Sequence, residues 1–337
     1  MIKNPLVSII AVCYNHARFV IECLDSIRNQ TYPNLQIIIM DDCSQDDSVE
    51  IIRNWIERYG VECSFIAHQN NQGVSRTLNE ALELAQGKYI SLIATDDTWL
   101  PDKITRQVAI MESMPENVGI IYSDAYQMDE NGQRLPDMFI AAHRKFDSVP
   151  EGDLLEHLIV GNFIPAMTTL IRRAVYDHVG LYDEKLIFED WDFWLRAANH
   201  FHFAYSTCPS SNYRILATSM ARTLLGGGNV ASYHTWFQIN RKILAMPGIS
   251  QLSRTLATKR LSVNARGMYV MGHPEAPSAL VSSFKATKQF SDLYCALLGF
   301  FGISHKRYQL TLSYLRWRFS CLPICNSSNK TRKEVSK

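Results

Sequence analysis

Apolar positions in this chain alternate between two patterns through its N-terminal third. Val7–Val12, Leu35–Met40, Cys63–Ala67 and Tyr89–Ala94 are short, largely apolar runs of strand length, and they predict strands buried on both faces. Between them, Val20, Cys23, Leu24 and Ile27, then Val49, Ile52 and Ile56, then Leu78, Ala81, Leu82 and Ala85 fall on one face of a helix. Ser48 stands where it can cap the second helix, Gly87 ends the third, and Pro101 opens a fourth carrying Ile104, Val108 and Met111. Strand and helix in strict alternation predict a doubly wound, mostly parallel sheet with right-handed crossovers.

The pattern loosens further on. Val118–Ser123, Ala166–Ile171 and His202–Tyr205 read as strands, and Leu135–Pro150 reads as a long surface loop. Leu154, Leu155, Leu158 and Ile159 mark a helix, Val175–Leu181 a short one closed by Gly180, and Glu189 begins another. Gly226-Gly227-Gly228 is a flexible punctuation that divides residues 1–225 from a helical region, 226–325, with helices expected over Tyr233–Leu244, Leu252–Tyr269 and Leu280–Phe290. Tyr308–Phe319 mixes Tyr, Leu and Trp with Arg, which suits an interfacial amphipathic helix or one packed on the body. Residues 326–337 are expected to be disordered.

Composition changes this picture in two places. A net charge of +1 excludes a global field for nucleic acid, but the charge is uneven. From Ile303 onward there are eight Lys and Arg against the single acid Glu334, a balance of +7; the rest carries 34 − 8 = 26 bases against 33 − 1 = 32 acids, a balance of −6. A basic tail on an acidic body points to anionic lipid or to a solvated tail. The eight Cys show no framework spacing, the N-terminus shows no basic-then-apolar leader, and the apolar run 293–303 is too short for a membrane span. A reduced, cytoplasmic protein is expected, peripheral at most to the inner face of a membrane.

The chemistry lies at strand ends. Two of the first four strands finish in Asp-Asp, at Asp41-Asp42 and Asp96-Asp97. Ligands of open α/β sheets bind outside the carboxyl ends of the strands, so these acids converge on one crevice. Adjacent like charges there call for a divalent cation, a ribose or a cationic group; otherwise they form a solvated acidic turn. The acids Glu189, Asp190 and Asp192 open a helix, where capping alone would account for them.

Five stretches carry a resemblance: Val7 through Asn15, Ile39 through Asp46, Asn71-Gln72-Gly73, Ala94-Thr95-Asp96-Asp97 and Glu189-Asp190-Trp191. In this order and near this spacing they resemble the signatures of inverting family 2 glycosyltransferases, over about residues 5–222. The resemblance implies a Rossmann-like GT-A fold with a helical C-terminal extension, a nucleoside diphosphate sugar donor, Mg²⁺ or Mn²⁺, and a single displacement with inversion. It implies Asp97 as metal ligand with Asp96 on metal or ribose, Asp42 as acceptor for the base, and Asp190 as general base with Glu189 as the alternative. Tyr14 would stack on the base, and Asn71 and Gly73 would shape the donor loop. Trp99 and Asp124 are candidate acceptor contacts, and Arg214 a candidate phosphate contact or a surface ion pair. The acceptor implied is a glycan, lipid-linked or growing, as in polysaccharide biosynthesis; a second copy of the chain is a further candidate partner. Ala94 departs from the family's acid at that position, which keeps open a nucleotide-sugar-binding protein without turnover. A nucleotidyltransferase would need a Gly-rich basic loop near the first strand, and Tyr14-Asn15-His16-Ala17-Arg18 is not one.

Overall fold

The computed structural model describes residues 4–217 and 229–306. The alternation is realised as β1 (Val7–Cys13), α1 (Val20–Arg28), β2 (Leu35–Asp41), α2 (Ser48–Tyr59), β3 (Cys63–Ala67), α3 (Val74–Leu84) and β4 (Tyr89–Ala94). These strands lie parallel in the order β3-β2-β1-β4. Successive residues point to opposite faces, so Ile10, Ile38, Ile90 and Leu92 bury with α3 while Ile9, Ile39 and Ile93 bury with α1 and α2. Both faces of β1, β2 and β4 are covered, which is why these stretches run apolar without alternation; β3, at the sheet edge, leaves Ser64 and Ile66 exposed.

Gly87 shows how tightly this half is joined. A Cβ there would sit 2.5 Å from the Ser8 nitrogen and 2.6 Å from the Tyr89 oxygen. The Gly87 N–H donates to Ser8 Oγ at 2.8 Å. The clash is with backbone and cannot relax by a rotamer change. Gly87→Ala is therefore expected to cost about 1–3 kcal/mol, read as a lower urea midpoint at unchanged m-value.

The second half adds β5 (Thr98–Trp99), α4 (Lys103–Ser113), β6 (Val118–Met128), β7 (Arg134–Met138), α5 (Phe139–His143), α6 (Leu155–Val160), β8 (Leu170–Arg172), α7 (Arg173–Val179), α8 (Glu189–Ala198) and β9 (His202–Arg214). β8 pairs antiparallel with both β4 and β6, and β9 runs parallel to β6, completing a mixed sheet of nine described strands. Three expectations change. Ala166–Thr168 is a single 3-10 turn, and the strand begins only at Leu170. The stretch expected as a loop holds β7 and α5. β9 continues well beyond Tyr205, to Arg214. Pairing with β6 decides the last two, and local periodicity does not record a partner distant in sequence.

Four more helices follow: α9 (Val230–Ala245), α10 (Gln251–Val270), α11 (Ala276–Thr287) and α12 (Phe290–Phe300). The chain divides into two compact units, Met1–Leu261 and Ser262–Lys337. In the first, α9 buries Ile239 and Ile243 in the core that holds Trp194. Lys242 Nζ donates to Asp183 and Asp192, both at 2.7 Å. The sheet-bearing unit thus runs past residue 225; the glycine triplet, Tyr308–Phe319 and residues 326–337 lie outside the described residues. In the second unit, the buried Asp292 carboxylate accepts from Arg266 Nε at 2.6 Å, Ser283 Oγ at 2.6 Å and Ser262 Oγ at 2.8 Å. The helix expected over Leu280–Phe290 is α11, which ends at Thr287 because Lys288 turns left-handed at φ 58°, and α12 begins at Phe290. Phe290, Tyr294 and Leu297 stand exposed along one side of α12, and Phe301 just after it is exposed too. No described helix is long and apolar enough to cross a membrane.

Candidate active site

The register of β1 with its neighbours sets Val12 beside Met40 and Ala94. Both neighbouring strands run one step further: the Asp42 N–H donates to the Cys13 carbonyl at 2.9 Å, and the Thr95 N–H to the Val12 carbonyl at 3.0 Å. Asp42 and Asp96 consequently flank the turn that leaves β1. Asn15 takes a left-handed φ of 57°, a conformation Asn tolerates better than most residues. Its N–H donates to Ser44 Oγ at 2.8 Å, and its Oδ1 accepts the Gln45 N–H at 2.7 Å. The His16 N–H donates to Ser48 Oγ at 3.0 Å, so that hydroxyl braces the turn instead of capping α2. His16 Nδ1 lies 2.9 Å from Thr95 Oγ1, and Nε2 lies 3.8 Å from Asp96 Oδ2. Tyr14, on the same turn, is 44% exposed and presents an open ring.

Asp42 organises the donor loop implied by the sequence. Its Oδ1 accepts the Gln72 N–H at 2.7 Å and faces His68 Nδ1 at 2.9 Å; its Oδ2 accepts the Gly73 N–H at 2.8 Å. Asn71 Nδ2 donates to the Asp42 carbonyl at 3.2 Å. Gly73 has φ 84°, which a residue with a Cβ rarely adopts, and α3 starts immediately after it.

The second acid pair divides its duties. Asp97 is buried, and its Oδ1 accepts the Arg214 N–H at 2.8 Å. Burial, and then the charge of Asp96, push the Asp97 carboxyl well above the usual range. Asp96 keeps the more accessible side chain. Arg214 is neither a phosphate contact nor a surface pair. Its guanidinium is buried, donating through Nε to the Asp96 carbonyl at 2.9 Å and through Nη2 to Glu22 at 2.5 Å. Nη1 lies 3.4 Å from the Asp129 and Glu130 carbonyls. It braces the acid loop from behind.

Two neighbouring carboxylates at one strand end suit a divalent metal. Among the described residues no group of three or more His, Cys, Asp or Glu could hold one. The fit is to an ion that takes one or two protein carboxylates and draws its other oxygens from a diphosphate and water. Asp96, with Asp97 behind it, would hold that ion.

Asp190 lies in the first turn of α8. Its Oδ2 accepts from Asn162 Nδ2 at 2.8 Å and its Oδ1 accepts the Trp191 N–H at 2.6 Å. Burial raises its carboxyl above the ordinary range, and burial together with the charge of Asp190 raises Glu189. Asp192 is different in kind. It pairs with Arg196 Nε at 2.9 Å and Lys242 Nζ at 2.7 Å, which fixes α8 in the core. The loop at Asn71 and Gly73 and the segment before α8 are tied through α3. Ser75 Oγ donates to the Leu186 carbonyl at 3.3 Å, and Asn79 exchanges hydrogen bonds with the Tyr182 backbone, both at 3.0 Å. Asp42 holds the loop that opens α3, and α3 holds the segment that leads into Asp190.

Two acceptor contacts are corrected. Trp99 is 3% exposed; its Nε1 donates to the Met167 carbonyl at 2.8 Å, and Lys103 Nζ sits 4.3 Å from its ring centroid. It is core and offers no sugar platform. Asp124 is buried, and its Oδ1 accepts the Ala125 and Ile140 N–H groups at 2.8 and 2.9 Å, pinning the start of α5. The residues missed by sequence reasoning are His16, Thr95, His68 and Asn162. His16 and Thr95 adjoin recognised motifs and were legible from that adjacency; His68 and Asn162 reach their acids only through the fold.

A parallel sheet with these acids at its carboxyl edge, and a carboxylate at the mouth of a following helix, defines a glycosyltransferase of the GT-A type. The chain belongs to glycosyl transferase family 2, whose model matches residues 8–180. An uncharacterized glycosyltransferase of Methanocaldococcus jannaschii is 32% identical over 204 residues, covering 59% of this chain and 67% of that one. The putative teichuronic acid biosynthesis glycosyltransferase TuaG of Bacillus subtilis is 31% identical over 170 residues, covering 50% of this chain and 63% of TuaG. An uncharacterized glycosyltransferase of Rickettsia prowazekii is 30% identical, and the match spans 59% of its length. In fold, the chain is similar to S. aureus TarS in complex with UDP-GlcNAc, with a TM-score of 0.62 at 18% identity, over 83% of this chain and 81% of that one. It is also similar to the mannosyltransferase PcManGT from Pyrobaculum calidifontis in complex with GDP-Man and Mn²⁺, with a TM-score of 0.55 at 16% identity, over 92% and 84% of the two chains.

Proposed function

We propose that this glycosyltransferase is inverting and metal-assisted, and that it moves a sugar from a nucleoside diphosphate to a hydroxyl of a growing, lipid-linked glycan. The observation that carries this reading is the run of contacts from Asp96 and Asp42 beside the turn after β1, through α3, to Tyr182 and Leu186 in the segment that leads into Asp190. Asp42 accepts from the base, Tyr14 stacks on it, and the loop at Asn71 and Gly73 lies against the donor. Asp190 takes the proton of the acceptor hydroxyl as its oxygen attacks the anomeric carbon and the diphosphate leaves with the bonding pair. Asn162 orients Asp190, and Glu189 stands beside it as a second carboxyl. Mg²⁺ or Mn²⁺, when bound at Asp96 and Asp97, neutralises charge growing on the leaving diphosphate.

The teichuronic acid relative and the nucleotide sugars bound by the structural neighbours support a role in cell-envelope polysaccharide synthesis. The exposed apolar side of α12, together with the +7 balance beyond Ile303, supports a peripheral position on an anionic inner membrane face. A thermal-shift series with UDP-, dTDP- and GDP-sugars, with and without Mn²⁺, tests the reading. One donor is expected to raise the midpoint, and more so with metal. No shift with any donor overturns it.

A further inference from the structure

The geometry around Asp42 limits which base it can receive. An ionised carboxylate offers about four acceptor positions. Three are already engaged: Gln72 N–H and His68 Nδ1 on Oδ1, and Gly73 N–H on Oδ2. His68 cannot swing away, because its Nε2 is held 2.9 Å from Glu80 Oε2, and Glu80 is in turn held by Arg76 Nε at 3.2 Å. With a carboxylate oxygen at each nitrogen, the ring offers Nδ1 to Asp42 as a donor. The His68 side chain is 8% exposed and that of Asp42 5%, so water does not readily substitute for either contact.

We infer that His68 is a positioning residue for base selection. By occupying Oδ1 it leaves Asp42 one open acceptor, on Oδ2. Uracil and thymine present one imide N–H there. Guanine presents two adjacent donors, N1–H and the exocyclic amine, and one of them is left desolvated and unpaired. That mismatch disfavours a guanine nucleotide by about tenfold or more. The inference rests on Asp42 receiving the donor base, as proposed above.

The test is calorimetric titration of the whole chain with UDP, dTDP and GDP in the presence of Mn²⁺. Wild type is expected to bind UDP and dTDP at least about tenfold more tightly than GDP. His68→Ala frees a position on Oδ1 and narrows the UDP:GDP ratio several-fold. His68→Asn, whose side-chain amide replaces the Nδ1 donor, restores the ratio. A merely structural role for His68 would weaken all three nucleotides together and leave the ratio unmoved. Equal binding of UDP and GDP by wild type, or an unchanged ratio in His68→Ala, overturns the inference. If no nucleoside diphosphate binds at all, the nucleotide-sugar reading itself fails. If His68→Ala does not fold, equal binding of UDP and GDP by wild type still overturns the inference, and His68→Gln, which misplaces the donor, is expected to narrow the ratio in its stead.

Discussion

Asp190→Asn is expected to lower sugar transfer by about 10²–10⁴-fold while leaving donor affinity essentially unchanged. The substitution keeps the shape of the side chain, but its amide has one acceptor oxygen where the carboxylate uses two, so it keeps one of the hydrogen bonds from Asn162 and the Trp191 N–H. It also removes the capacity to take a proton, and that loss carries the expected fall in rate. Initial rates at saturating donor, read beside a donor titration, separate the two effects. A variant retaining most of its activity would transfer the base role elsewhere, and Glu189 is the neighbour to test next. The wild-type pH profile bears on the same point. A base works ionised, and burial raises both carboxyls, so kcat/KM should fall as pH drops through an apparent pKa above the ordinary carboxylate range. That apparent value belongs to the pair and not to either residue. An acid limb no higher than that of a free carboxylate would refute this assignment.

Asp96→Asn has the second large effect: kcat/KM should drop about a thousandfold, and the thermal shift with donor should lose its dependence on Mn²⁺. Asp97→Asn should behave differently. Its amide oxygen still accepts the Arg214 N–H, and it relieves a buried charge whose pKa is raised by burial and by Asp96. A raised folded-state pKa means the ionised form opposes folding at neutral pH, so Asp97→Asn should hold or raise the melting midpoint even as activity falls. Differential scanning calorimetry on the two variants checks this contrast. A large loss of stability in Asp97→Asn would mean that the carboxylate charge is paired more strongly than its neighbours show.

Much of the donor side was legible before any coordinates. Continuous apolar runs ending in polar residues put Asp42 and Asp96 at the carboxyl ends of parallel strands, because a strand buried on both faces can change character only where it leaves the sheet. The helix spacing between the runs then fixed the crossovers, and with them the edge on which the acids meet. The acceptor side was less legible. Trp99 follows the acid pair directly, yet pairing of β5 with β9 turns its ring inward. Arg214 lies far from Asp96 in sequence, yet β9 brings it to the back of the acid loop.

The sequence by itself determined the alternating α/β framework and the strand ends at which Asp42 and Asp96 stand. These follow from local periodicity and from where buried strands must stop. Only the tertiary structure decided which polar groups are spent holding one another. Arg214 is consumed by backbone carbonyls and Glu22, Asp124 by backbone N–H groups, Asp97 is buried against the Arg214 N–H, and His68 and Asn162 are delivered to their acids. The physical reason is that a buried polar group must find a partner, and that partner is chosen by three-dimensional proximity, which a one-dimensional pattern does not encode.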